Sequence, residues 1–199
     1  MMISSIVLAA GLSSRMGEPK ALLDWGGEEL VNWQVRQLKE AGVDEVIVVI
    51  GHMADPIRRR MKRADCRVML NPRYQMGRAG SLRIGAKAVN RDTEAILIIN
   101  VDQPRPAAML KDLLAAHQAT SLVTRPAFDG RHGHPIVVAG RLREELLTAA
   151  DENRGLDGIL KAHSAEITDV AGDASCEVEF NTPDEYQAAR RFFGVAGGS

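Results

Sequence analysis

The run Ile3-Ser4-Ser5-Ile6-Val7-Leu8-Ala9 passes without a break into Ala10-Gly11-Leu12-Ser13-Ser14-Arg15-Met16-Gly17-Glu18-Pro19-Lys20. The first part is strand-sized and aliphatic. The second is built from small residues and glycine, and it carries two cations. Small residues let a backbone approach a ligand closely and offer N–H groups to phosphate oxygens. Arg15 and Lys20 supply the positive charge that a polyphosphate requires. In an open α/β sheet, ligands sit beyond the carboxyl ends of the strands, which is where this loop falls. The spacing is neither that of a Walker A loop nor Gly-x-Gly-x-x-Gly. An ordinary Gly/Ser turn with two surface cations has the same composition.

Beyond this junction, short apolar runs alternate with helix-like segments. Glu29–Ala41 sets Leu30, Val31, Trp33, Val35 and Leu38 at mostly helical spacing, with Gly42 as a stop. Asp44–Gly51 and Glu94–Val101 are nearly continuous in apolar residues, as strands covered on both faces must be. A basic helix follows the first of these, then a short strand at Arg67–Leu70 and a helix at Gly80–Val89. Pro106–Ala119 predicts a helix, Ser121–Arg125 and His134–Val138 strands, and Arg141–Ala150 and Leu156–His163 helices. Val178–Asn181 predicts a brief strand and Pro183–Phe193 a last helix. The alternation implies a three-layer α/β/α, Rossmann-like fold around a mostly parallel sheet. The expected organisation is one domain over residues 1–193 and a flexible tail, Gly194–Ser199.

Composition narrows the function. Of the 199 residues, 45% are hydrophobic and 26% charged, which suits a globular chain rather than a disordered one. No apolar run reaches the roughly 18–20 residues of a membrane helix, and no signal peptide is evident, so no membrane partner is expected. Cys66 and Cys176 are too few for a disulfide framework or a Cys-rich zinc site, which points to a reduced, cytoplasmic location, and with no local general base both read as inert. A net charge of −1 argues against a nucleic-acid partner. The run Arg58–Arg63 therefore reads as a solvated helix face.

Five blocks in order carry a resemblance. They are Leu8 to Lys20; Asn71-Pro72-Arg73-Tyr74 with Gly77 and Ser81-Leu82; Asp102-Gln103-Pro104; Gly133-His134-Pro135; and Asn181-Thr182-Pro183-Asp184-Glu185. Together they resemble the nucleotidyltransferases that attach a nucleotide to the molybdenum cofactor, within a superfamily that includes sugar-phosphate and methylerythritol-phosphate enzymes. The resemblance implies the nucleotidyltransferase version of the fold and transfer of CMP from CTP to molybdopterin, with a molybdoenzyme as recipient of the product. Ala10-Gly11, where guanylyltransferases usually have Gly-Gly, favours CTP over GTP. A sugar- or polyol-phosphate nucleotidyltransferase is the alternative enzyme, and a non-catalytic cofactor chaperone the alternative from another class.

The same resemblance assigns roles. Arg15, Lys20 and Asp102 would be catalytic. Ala9, Ala10, Gly11, Leu12, Ser13, Ser14, Gly77, Gly80 and Ser81 would bind the nucleotide, and Arg78 and His134 the acceptor. Asp102 and Asn181 would hold Mg²⁺, a hard cation suited to oxygen ligands. Asp102 would otherwise cap the next helix. Arg73 and Arg83 would add charge for a phosphorylated acceptor. His132 and His134 raise the thought of zinc, but no further ligand has zinc spacing. His52, His117 and His163 read as surface or packing residues. Thr182, Pro183, Asp184 and Glu185 are explained by helix capping alone.

Overall fold

The computed structural model describes residues 1–62 and 64–195. Arg63 of the basic run and positions 196–199 of the expected tail lie outside the described residues. In chain order the elements are β1 (Ile3–Ala9), α1 (Leu30–Glu40), β2 (Glu45–Ile50), α2 (Ala54–Arg60), β3 (Arg67–Leu70), α3 (Arg78–Ala88), β4 (Ala95–Asn100) and α4 (Ala107–Ala116). There follow β5 (Val123–Phe128), β6 (Arg131–His132), β7 (Ile136–Ala139), α5 (Arg143–Leu147), α6 (Leu156–Ala162), β8 (Ile167–Ala171) and α7 (Pro183–Phe192).

The strands form one sheet in the order β3-β2-β1-β4-β7-β5-β6, with β8 on β5. β2 and β4 both pair parallel with β1, one on each side. The chain leaves β1 in one direction along the sheet and later returns to fill its other side. That reversal opens a crevice between the carboxyl ends of β1 and β4. β7 runs antiparallel to both β4 and β5, and β8 runs parallel to β5.

Alternation within the buried strands builds the three layers. Val7, Val46, Val48, Leu97 and Ile99 face one core with α1, α4 and α7. Ile6, Ile47, Val49, Ile96 and Ile98 face the other with α3 and α5. Both faces are covered, which is why these strands carry so few polar residues.

Two sequence expectations are corrected. Val178–Asn181 is not a strand; it is an irregular connection whose backbone is held by side chains. Instead β8 completes that edge. It was missed because Ile-Thr-Asp-Val-Ala is largely exposed and its pattern is too polar to stand out. The expected helix over Arg141–Ala150 is also shorter, a turn at Gly140–Leu142 followed by α5.

Candidate active site

The loop after β1 is tied at both ends. Met16 is buried, and its N–H donates to the Ser13 carbonyl at 2.9 Å. Ser13 holds φ of +52°, and its Oγ accepts from the Lys20 N–H at 3.1 Å. Pro19 then leads into a helical turn, Lys20–Leu22. This turns Lys20 back across the crevice. Its Nζ donates to Asp102 Oδ2 at 2.6 Å and to Asn181 Oδ1 at 2.9 Å. The Lys20 and Asp102 side chains are only 12% and 15% exposed.

Asp102 lies just beyond β4. Gln103 braces that turn: its Oε1 accepts from the Asn100 N–H at 3.1 Å, and its Nε2 donates to Glu179 at 3.1 Å. Asn181 is set from the other direction. Phe180 is fully buried beside Trp25 and Tyr186, and its N–H donates to the Asp102 carbonyl. The Asn181 N–H donates to Glu185 at 2.6 Å, at the capped start of α7.

A cleft of about 340 Å³ opens along the loop. Ala9, Ala10, Gly11, Leu12, Ser13, Ser14, Arg15 and Lys20 line it together with Gly77, Arg78, Ser81, Asp102 and Asn181. Gly80 is the exception among the expected nucleotide-binding residues: it sits inside α3, where a Cβ would meet Asn71 Nδ2 at 3.5 Å, and does not line the cleft. Ser81 is largely buried, and its Oγ accepts from Asn71 Nδ2 at 2.9 Å. Asn71 Oδ1 in turn accepts from the Arg73 N–H, so the Asn-Pro block braces this loop. Arg83 donates to the Ala149 carbonyl and serves as a strut between α3 and the chain after α5. The basic residues of α2 are exposed and do not line the cleft, although Ile57 of the same helix does.

A second cleft, of about 360 Å³, shares Leu8, Arg78, Asn100, Asp102 and Asn181 with the first. His134 lies here, with Asp151, Arg154, Asp157 and Glu179. Burial and the Arg105 charge push the His134 imidazole below its ordinary pKa, so it is neutral at pH 7. Gly133 is needed for close approach. A Cβ there would stand 2.5 Å from the Cys176 carbonyl oxygen. At Gly77 the requirement is conformational, with φ of +122°. Both thiols are pushed above the usual range, Cys66 to about 11 and Cys176 by burial, so neither is a ready nucleophile.

A family model for the MobA-like NTP transferase domain matches residues 5–167. The chain belongs to this family. A nucleotidyl transferase from Methanothermobacter thermautotroptrophicus is 30% identical, with a TM-score of 0.82 over 96% of this chain and 97% of that one. The nicotine blue oxidoreductase of Paenarthrobacter nicotinovorans is 27% identical over 77% of this chain and 78% of its own length. The bifunctional protein GlmU of Anaeromyxobacter is 29% identical over 97% of this chain, which spans 44% of that protein's length. The Rv0371c structure from Mycobacterium tuberculosis shares the fold, with a TM-score of 0.83 at 24% identity and coverage of 94% and 97%.

Membership of this family implies a nucleoside triphosphate substrate. The donor set suits a hard divalent cation: one carboxylate and one amide oxygen already converge on a shared positive group, the Lys20 ammonium. Among the described residues no three His, Cys, Asp or Glu side chains gather to hold a metal, so water and phosphate oxygens would complete its coordination. No described helix is long and apolar enough to cross a membrane.

Sequence reasoning missed Arg154, Asp157 and Glu179 of the second cleft and two residues that brace the site. Asp151 caps α3 from far along the chain, accepting from the Arg78 and Ala79 N–H groups at 2.9 and 3.1 Å. Arg105 is fully buried and donates to the carbonyls of His134, Pro104, Val178 and Cys176 at 2.7–2.9 Å. It ties the Gly-His-Pro block to the segment that carries Asn181. Its position directly after the Asp-Gln-Pro turn was the one available signal.

Proposed function

We propose that this protein transfers CMP from CTP to the terminal phosphate of molybdopterin and releases pyrophosphate. One observation carries the reading: Lys20, Asp102 and Asn181 meet at the wall shared by two clefts of different electrical character. The first is lined by Arg15, Lys20 and Arg78 against a single carboxylate, Asp102. That balance suits a triphosphate. The second holds Asp102, Asp151, Asp157 and Glu179 against Arg78 and Arg154. Such a compartment suits an acceptor with its phosphate at Arg78 and a head rich in N–H donors, as a pterin is.

A phosphate monoester oxygen of the acceptor forms a bond to the α-phosphorus, the bond from that phosphorus to the β-phosphate oxygen breaks, and pyrophosphate leaves. The attacking oxygen is anionic near neutral pH, so no strong general base is required. Catalysis reduces to positioning and to neutralising charge. Arg15 and Lys20 steady the leaving phosphates, the backbone of residues 10–14 wraps the nucleotide, and Arg78 and His134 orient the acceptor. Mg²⁺ held by Asp102 and Asn181 would supply further charge neutralisation at the reacting phosphates. Ala10-Gly11 supports CTP over GTP, and the product passes to a molybdoenzyme.

The test is pyrophosphate release with each of the four nucleoside triphosphates and molybdopterin, with the product identified by mass spectrometry. A CMP ester of molybdopterin is expected. Sugar 1-phosphates, the acceptors of the alternative enzyme reading, are the controls. Turnover with those alone would replace the molybdopterin reading, and release of no pyrophosphate with any pair would end the transfer reading.

A further inference from the structure

We infer that the Lys20 ammonium holds the place of the divalent cation between Asp102 and Asn181 until a nucleoside triphosphate draws it away. Metal alone should therefore bind poorly, and removal of Lys20 should strengthen that binding. The inference rests on the reading of Asp102 and Asn181 as metal ligands.

Three observations carry it. The ammonium is 2.6 Å from Asp102 Oδ2 and 2.9 Å from Asn181 Oδ1, so it occupies the space between the two oxygens offered to a metal. A divalent ion cannot share that space, because it would meet a like charge at contact distance. The pair is also shielded from water, with side chains 12% and 15% exposed, so solvent screens it less than a surface ion pair. Finally, the lysine has a route out. Its backbone N–H is held by Ser13 Oγ, which fixes the base of the side chain, while the flexible four-carbon stem lines the nucleotide cleft beside Ser14 and Arg15. A triphosphate in that cleft offers the ammonium new anionic partners and leaves Asp102 and Asn181 to the metal.

Coupling of this kind is reciprocal: whatever factor the nucleotide adds to metal affinity, the metal adds to nucleotide affinity. Direct bonds between metal and phosphate contribute to that factor as well. The diagnostic quantity is therefore metal binding in the absence of nucleotide. Arg15 is the control, since it lines the same cleft and is exposed, whereas the hydrogen bonds to the Asp102 and Asn181 oxygens come from Lys20.

The experiment measures Mn²⁺ binding to the full chain by electron paramagnetic resonance, without nucleotide and with a non-hydrolysable CTP analogue. Lys20→Met and Lys20→Gln should both bind Mn²⁺ alone at least about tenfold tighter than the parent, within the usual span of coupling factors. Arg15→Gln should leave that affinity within about twofold, because its charge is screened by solvent. If neither Lys20 variant binds Mn²⁺ more tightly, the place-holding inference is overturned. Asp102→Asn separates the two ideas. Loss of Mn²⁺ binding in that variant supports the metal-ligand reading, and retained binding overturns it along with the inference. A second readout uses the unmodified protein: the Lys20 ammonium ¹⁵N–¹H signal should persist with Mg²⁺ alone and shift when nucleotide is added. A full shift with Mg²⁺ alone would also overturn the inference.

Discussion

Replacing Arg105 by methionine removes the donor to four carbonyls on three separate segments of chain. The guanidinium is fully buried, with Nε on His134, Nη1 on Pro104 and Val178, and Nη2 on Cys176. Among the described residues no carboxylate forms an ion pair with it. Burial lowers its pKa to about 10, so it is charged at neutral pH and its desolvation is a cost of folding. A hydrogen bond from a charged donor contributes about 1.5–3 kcal/mol, and a buried carbonyl left unpaired costs about 1–3 kcal/mol. These terms are not additive, and relief of desolvation offsets part of them. The expected net loss is about 3–5 kcal/mol, because several buried carbonyls are left without a donor. Against a total of about 5–15 kcal/mol for a domain, Arg105→Met should be marginally folded. Arg105→Lys keeps the charge but has three donors for four carbonyls, so it should lose less. Urea unfolding followed by fluorescence reads this directly, because Trp25 is buried against Phe180. In the lysine variant the acceptor KM should rise while the nucleotide KM stays near the parent value, since the anchored segments line the second cleft. A loss below about 1 kcal/mol in Arg105→Met, the size of a routine substitution, would mean that desolvation cancels the four hydrogen bonds and that the clamp contributes no stability.

Asp102→Ala should abolish transfer while circular dichroism and the unfolding midpoint stay close to the parent; activity within about tenfold at saturating Mg²⁺ would exclude the metal role. Asn181→Asp adds a charged ligand and should lower the Mg²⁺ concentration for half-maximal activity; an unchanged titration would make Asn181 a structural residue at the start of α7. Lys20→Ala should cut kcat/KM by about 10² or more, while neutralising Arg58 and Arg59 together should change it less than about threefold; the reverse ranking would move the phosphate site to α2. His163 gives a pH signature through its contacts with Glu166 and Glu145, which raise its pKa above 6.5. A raised pKa means the folded state holds the proton more tightly. The added stability is full below the unfolded value and is lost as pH rises through the folded one. His163→Ala should therefore destabilise below about pH 6 and be nearly neutral well above the folded pKa, by less than about 1 kcal/mol at this surface site; a loss that grows with pH would refute the assignment.

Local rules acting over a few residues were legible without the structure. The nearly continuous apolar runs of β2 and β4 announced strands covered on both faces, and they flank β1 at the parallel centre of the sheet. Thr182 was readable as the cap of the last helix and is one: its Oγ1 accepts from the Glu185 N–H, and the Glu185 carboxylate, expected only to match the helix dipole, accepts in return from the Thr182 N–H. The loop after β1 reads as a candidate phosphate site because its chemistry is concentrated in one short stretch, and that stretch lines the first cleft. Other features depended on strand order, which local pattern does not encode. Lys20 meets Asp102 and Asn181 across 82 and 161 residues only because β4 pairs with β1 and α7 folds back beside them. Asp151 caps α3 across 73 residues, standing in for a local cap where Gly77 has no side chain to offer. Arg105 looks like a surface cation in sequence, and burial gave it four carbonyls to hold. β8 and residues 178–181 follow the same logic. A polar segment became a strand because β5 had a free edge, and an apolar one did not because Arg105 and the Trp25 cluster held it elsewhere. Periodicity reports which face of an element is buried, whereas partners distant in sequence are chosen by the order in which the sheet assembles.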